Sequence, residues 1–152
     1  MYEAIRRQIG RSVPFARLLG VEIQALDAAQ ACTRLTMNQD LQNHVGSLHA
    51  GALFTACEAA SGAALAGAVA EHIMVTRLAV RDAQVEYLKS ATGPVVARAR
   101  LVDDSAQLLQ DLKRDGRALA AVDVSAVVID FDGNETLVAR ASFNWHLRLH
   151  AA

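Results

Sequence analysis

Asn43-His44-Val45-Gly46-Ser47-Leu48-His49-Ala50-Gly51-Ala52-Leu53-Phe54-Thr55-Ala56-Cys57-Glu58 decides how this chain reads. Its first half is polar and belongs to an irregular loop over Asn38 to Leu48, of the kind that carries function. Its second half opens a run, from Ala50 to about Val69, in which most residues are Ala, Gly, Ser or Cys. Small side chains on every face let other backbones approach closely, so the run is expected to form a helix enclosed by a sheet. Ala50 to Ala70 holds 21 residues and one charge, near bilayer-spanning length. Yet Glu58 lies near its middle, where an acid costs roughly 2.5–3.5 kcal/mol on insertion scales, and little Leu, Ile or Phe offsets it. A helix buried in protein, with no membrane partner, is the expectation.

Working toward the N-terminus, Val21 to Leu26 and Ala31 to Met37 broadly alternate apolar and polar residues. They read as half-buried strands joined by a tight turn at Asp27 to Gln30, a first hairpin. An amphipathic helix is expected over Tyr2 to Ile9, followed by Ser12 as a cap, Pro14 at an early helical position and a short helix ending at Gly20. The opening Met1-Tyr2-Glu3-Ala4-Ile5-Arg6-Arg7 has charges where a secretory signal needs an apolar stretch.

Toward the C-terminus, Ala79 to Ser90 and Val95 to Val102 read as extended segments meeting at Ala91-Thr92-Gly93-Pro94. Ser105 is expected to cap a surface helix with Leu108, Leu109 and Leu112 on one face and Gly116 as its stop. Arg117 to Ile129 and Glu135 to Leu149 read as strands around the turn Asp130-Phe131-Asp132-Gly133-Asn134. The expected order is two strands, a buried helix, then four strands interrupted by one short helix. That is an α+β arrangement in which a mostly antiparallel sheet covers one long helix.

With 152 residues the chain suffices for one domain, spanning 1–152. Hydrophobic residues make up 53% and charged residues 20%, a globular composition whose apolar excess suggests burial in an oligomer. The formal net charge of −1 supplies no bulk field for nucleic acid or an anionic membrane. Cys32 and Cys57 lack metal-ligand spacing and are too few for a disulfide framework, so a reducing cytoplasmic setting is expected. No metal set is apparent, since His, Cys and acidic residues do not cluster.

The opening stretch resembles the signature of hot-dog-fold thioesterases of the PaaI type, in which an Asn, a His-Gly-Gly and a helix acid recur at fixed spacing. Here His49 stands six positions after Asn43 and Glu58 nine positions after His49, as in that pattern. Ala50 stands where the first glycine would be, while Gly51 keeps the second. Alanine also supplies a backbone N–H, so the change is neutral unless a positive φ is needed there. Val85-Glu86-Tyr87-Leu88-Lys89-Ser90-Ala91 resembles the family's strand after the helix, and the order of elements fits over nearly the whole chain. The resemblance implies a hot-dog fold, an acyl-CoA or acyl-carrier thioester as substrate, no cofactor, and a homodimer or dimer of dimers with shared sites.

The residue types suit that chemistry. Thioester hydrolysis puts negative charge on the carbonyl oxygen, which free N–H groups at a helix start stabilise, and Ala50 is the candidate donor. A carboxylate among apolar side chains can activate water or attack directly, and Glu58 is the acid of this helix. Ala50 and Glu58 stand eight residues apart, about 12 Å along a helix, so they cannot flank one carbonyl carbon. Unless the helix bends sharply, each site pairs one subunit's helix start with another's Glu58. Asn43 would then hold the water or the thioester, and His49 would fix the turn.

Other readings stand beside this one. A buried Glu can be plain structure, and Asn43 can simply cap its loop. His44 stands 14 residues before Glu58, the spacing of hot-dog dehydratases, so a dehydratase or hydratase using His44 and Glu58 is the competing enzyme, although Val45-Gly46-Ser47 lacks that family's Phe-Pro-Gly. A non-catalytic acyl-CoA-binding module is the third reading. Thr76, 18 residues after Glu58, matches a hydroxyl position of some relatives only in offset. Lys89, Arg98 and Arg100 could meet coenzyme A phosphates or form a solvated face. Helix and strand alternation places an acyl pocket near Phe54, Ala63, Ala83 and Val85.

Overall fold

The computed structural model describes residues 1–150. Helices α1 (Tyr2–Ser12) and α2 (Pro14–Leu19) precede the hairpin β1 (Glu22–Leu26) and β2 (Gln30–Leu35). A loop with a 3-10 turn at Gln39–Leu41 leads into α3 (Ala50–Ala68). Then follow a 3-10 stretch at Ala70–Val75, β3 (Thr76–Tyr87), β4 (Val95–Leu101), α4 (Ser105–Asp115), β5 (Arg117–Ile129) and β6 (Glu135–Leu149). All pairs of the six-stranded sheet are antiparallel, in the order β1-β2-β4-β5-β6-β3. The sheet wraps α3, giving the hot-dog fold that the sequence led one to expect.

The wrap follows from the small side chains of α3. Ala56, Ala60 and Ala64 have no exposed surface at all, and alternate residues of the strands pack over them, among them Leu35, Val95, Ala97, Val122, Ala126 and Phe143. Two polar ties fix the helix against the sheet. The Thr33 hydroxyl donates to the Ala56 carbonyl at 2.8 Å, and the Trp145 indole N–H donates to the Ser61 hydroxyl at 3.1 Å. At Gly67 the approach is closest, because a Cβ there would sit 1.8 Å from the Asp27 carbonyl oxygen in the β1–β2 turn. Only glycine fits such an approach.

The strand β3 runs along one edge of the sheet, and its residues Arg81, Asp82, Ala83 and Gln84 are exposed in succession. A bulge at Arg81 resets its register, so Thr76, Leu78 and Val80 before it and Ala83, Val85 and Tyr87 after it oppose the odd-numbered residues Leu149 to Ala139 of β6. A bulge of this kind shifts which residues face inward without breaking the strand.

Several boundaries differ from expectation. Ser12 does not cap α2. It is the last residue of α1 and its hydroxyl donates to the Ile9 carbonyl at 2.9 Å. The cause is Pro14, whose ring forces the preceding Val13 into an extended conformation that ends one helix and starts the next. Ser105 does not cap α4 either. Asp104 does, accepting from the Ala106 and Gln107 N–H groups at 2.8 and 3.1 Å, and a carboxylate is the better acceptor at a positive helix end. Strand β3 starts at Thr76, three residues before the expected Ala79, and ends at Tyr87.

Candidate active site

The loop before α3 is held by Asn43. Its Oδ1 accepts from the N–H groups of Val45 and Ser47 at 3.0 and 3.1 Å, and its Nδ2 donates to the Ser47 hydroxyl at 2.8 Å. One amide hydrogen of Asn43 remains uncommitted. Leu48 N–H donates to Ala91 and His49 N–H to Leu41, each at 2.8 Å, so the entry to the helix is tied on both sides.

His49 is the N-cap of α3. Its Nδ1 accepts the Gly51 N–H at 2.8 Å, which leaves the proton of the neutral ring on Nε2. A Cβ on Gly51 would stand 3.1 Å from that Nδ1, so a side chain there would crowd the ring. Ala50 needs no such allowance, because among the described residues only glycines have positive φ. The Ala50 N–H has no partner among the described residues and lies at the positive end of a 19-residue helix, on an exposed residue. The Tyr87 hydroxyl donates to the Ala50 carbonyl at 3.3 Å. Asn43, Ala50, Tyr87 and Lys89 line one cleft of about 340 Å³.

Glu58 faces elsewhere. It lines a second cavity of about 390 Å³, roofed by α1 and α2 and walled by α3, β3 and Trp145, in which it is the one ionisable residue. The side chain is half-buried and its carboxylate has no hydrogen bond or ion pair among the described residues. Burial pushes its pKa above the ordinary 4.5, because charge is disfavoured away from water. Below it, the Ser61 hydroxyl donates to the Glu58 carbonyl at 2.7 Å while accepting from Trp145, so β6 steadies the turn that carries the acid. Next to it, Cys57 is fully buried and its thiol is pushed up to about 12 by burial, which keeps it un-ionised.

Within one chain, therefore, Asn43 and Ala50 come together and Glu58 stands apart, on the far side of two turns of helix. His49 does not point into Glu58's cavity. His44 is exposed and lines neither space, so one chain does not join it to Glu58. Thr76 does share the Glu58 cavity, with its hydroxyl donating to the His72 carbonyl at 2.7 Å. Of the four residues placed by alternation in an acyl pocket, Ala63 lines this cavity. Phe54 instead packs edge-on against Phe143 in the core, with ring centroids 5.4 Å apart, and Ala83 and Val85 lie beyond the cavity on the bulged strand. Arg98 and Arg100 lie on the outer face of the sheet, Arg98 paired with Glu135, away from the Lys89 cleft. Sequence reasoning missed the roof: Ile5 and Ile9 of α1 stand four residues apart, a helical spacing readable in advance.

No group of three His, Cys, Asp or Glu placed to hold a metal occurs among the described residues, and no described helix is long and apolar enough to cross a membrane.

Comparison with known proteins bears on the fold. No curated protein sequence matches the chain. A thioesterase family protein from Silicibacter pomeroyi superposes with a TM-score of 0.81 at 21% identity, over 99% of this chain and all of that one. A protein of unknown function from Pseudomonas aeruginosa, described as a probable thioesterase, gives 0.77 at 24%, over 99% of this chain and 97% of that one. The E. coli PaaI protein of the phenylacetic acid degradation operon gives 0.73 at 16%, over 99% and 95%. At such identities the likeness establishes the hot-dog fold. The family model for a domain of unknown function, DUF4442, matches residues 2–147, and the chain belongs to that family.

Proposed function

We propose that this protein is an acyl thioester hydrolase whose carboxylate is Glu58 and whose oxyanion donor is the Ala50 N–H of a partner subunit. The single observation that carries the proposal is the unpaired Glu58 carboxylate at the wall of an otherwise uncharged cavity. A carboxylate with a raised pKa is a stronger base than an exposed one, and here nothing else competes for its lone pairs. The free N–H at the start of α3 supplies the complementary element, a dipole aimed at the place where negative charge develops.

The step balances simply. Glu58 removes a proton from water as the water oxygen bonds to the thioester carbonyl carbon, whose oxygen becomes negative against the Ala50 N–H. Collapse restores the C=O, breaks the C–S bond and releases the thiolate, which takes up the proton. Asn43 holds the loop that presents Ala50 and keeps one N–H for the water or substrate. His49 acts as a positioning residue through its cap on Gly51. Direct attack by Glu58 would form an anhydride, which water then opens; either route uses the same groups.

The paired site calls for a homodimer. Edge strand β3, 12 residues long and exposed along its middle, supports that reading, because a long free edge offers N–H and C=O groups to another strand. The opposite edge, β1, has five residues, a bulge and α1 packed against it. Acyl-CoA as the carrier is supported by Lys89 in the Ala50 cleft, placed to meet a phosphate.

Thiol release from a panel of acyl-CoAs tests the proposal. Wild-type protein is expected to release thiol, and Glu58→Gln, folded and of unchanged mass in solution, to lose it by at least a hundredfold. Enoyl-CoA hydration without thiol release would favour the reading with His44, and saturable binding without either would make the protein a non-catalytic acyl-CoA-binding module.

A further inference from the structure

The lining of the Glu58 cavity carries more than the position of the acid. Its walls are mostly aliphatic, with Ile5 and Ile9 from α1, Ala59, Ala63 and Ala66 from α3 and Leu78 from β3, and its aromatic members are Phe15 and Trp145. Polar side chains also touch it, but the hydroxyl and indole protons among them are committed to protein acceptors, and only Gln8, at the exposed rim, keeps a second amide hydrogen free. Gln8 donates to the Met74 sulfur, Ser12 to Ile9, Thr55 to Gly51, Thr76 to His72, and Trp145 to Ser61. Away from Glu58 and the rim Gln8, a hydroxyl, keto or carboxylate group on the acyl chain would lose its water beside alanine, isoleucine and leucine side chains and find no free polar partner, at a desolvation cost. The space therefore discriminates against substituted chains and favours plain hydrocarbon.

Its length is set by α3. From Glu58 the cavity follows the helix to Ala66, eight residues on, or roughly 12 Å, with Thr55 lining it on the other side of the acid. An extended hydrocarbon advances roughly 1.3 Å per carbon when 1.5 Å bonds meet at tetrahedral angles. A chain of about eight to ten carbons spans that distance. The volume of about 390 Å³ lies in the range of pockets that enclose a whole small ligand, and an aryl ring at Glu58 would leave its far half empty.

Resting on the hydrolase reading above, we propose that this cavity holds the unbranched, unsubstituted acyl chain of a medium-chain thioester, with the carbonyl at Glu58 and the methyl end beside Ala66. The α1–α2 segment is the roof of that chain site. Ala66 and Ile9 are the residues that set its length, one from the floor and one from the roof.

The test compares acetyl-, butyryl-, octanoyl-, decanoyl-, palmitoyl-, 10-hydroxydecanoyl- and phenylacetyl-CoA by thiol release, alongside binding of decanoic acid. Wild-type kcat/KM is expected to peak at octanoyl or decanoyl and to fall with the terminal hydroxyl or the aryl group. Ala66→Leu should leave butyryl-CoA within about threefold of wild type and reduce decanoyl-CoA by tenfold or more, since one methylene in an apolar pocket is worth about 10–200-fold. Ile9→Trp, made in the peripheral roof helix, should shorten the preference in the same direction should Ala66→Leu fail to fold. Thiol release that favours acetyl- or phenylacetyl-CoA, or a chain profile that both folded variants leave unmoved, overturns the chain-site proposal and leaves hydrolysis standing. Decanoic acid binding that Ala66→Leu weakens, with no thiol from any substrate, upholds the chain site and overturns the hydrolase.

Discussion

Glu58 and Ala50 lie on one helix, eight residues apart, and open into two separate cavities. The separation of about 12 Å exceeds what one carbonyl group can bridge. It makes the free N–H and the free carboxylate complementary halves that two copies of the chain would complete for each other. Four measurable consequences follow from this arrangement and the packing around it.

Removing the Ala50 N–H alone is possible without disturbing the helix. Proline is favoured at the first helical position, and His49 before it already has the extended backbone that a following proline requires. Ala50→Pro should keep the melting temperature within a few degrees of wild type while kcat falls about 10²–10³-fold, as for the loss of one oxyanion donor. Steady-state thiol release and thermal unfolding check the pair of expectations.

The pH dependence has a definite sign. Burial raises the Glu58 pKa in the folded protein above its ordinary 4.5, so the folded state holds the proton more tightly than the unfolded chain. Ionising it therefore destabilises the fold as pH rises through the interval between the two values, and no penalty exists below the unfolded value. Glu58→Gln should be more stable than wild type at neutral pH, with the difference vanishing in acid below about pH 4. Activity of wild type should show an acidic limb displaced upward from the usual carboxylate range, and denaturant titrations at several pH values measure the stability side.

The Trp145–Ser61 tie supports the turn of Glu58. Ser61→Ala would leave the buried indole N–H unpaired, costing about 1–3 kcal/mol. Adding Trp145→Phe should recover part of what Ser61→Ala loses, whereas two independent packing defects would add. A double-mutant cycle in urea distinguishes them.

Gly67→Ala should be among the most damaging single-methyl changes in the molecule. The new Cβ meets a backbone oxygen in the β1–β2 turn, so helix and hairpin must part, at about 3 kcal/mol or more, despite alanine's better helix propensity. Equilibrium unfolding gives the number directly.

Much of this architecture was legible in the chain. The run of Ala and Gly from Ala50 announces a helix that other backbones approach, and the turn residues at Asp27 and Asp130–Asn134 mark both hairpins. Helix caps were less legible, because Ser12 and Ser105 each stand beside a residue with a stronger claim, Pro14 and Asp104. The bulge at Arg81 was hidden, since nothing local in Val80-Arg81-Asp82 distinguishes an inserted residue from an alternating one. For the site, spacing along one helix already separated Ala50 from Glu58. Which side chains line the space beside Glu58 depends on how α1 and α2 fold back over α3, a tertiary event that strand and helix periods do not encode.

The most direct test mixes two inactive variants. Ala50→Pro and Glu58→Gln, unfolded together and refolded at equal concentration, would form mixed dimers as about half of the population. In each mixed dimer one of the two sites joins an intact Ala50 N–H to an intact Glu58 from the other chain. About a quarter of wild-type thiol release should therefore return, while either variant alone stays inactive. No recovery, in a mixture shown by native mass spectrometry to contain the mixed dimer, would contradict the shared site.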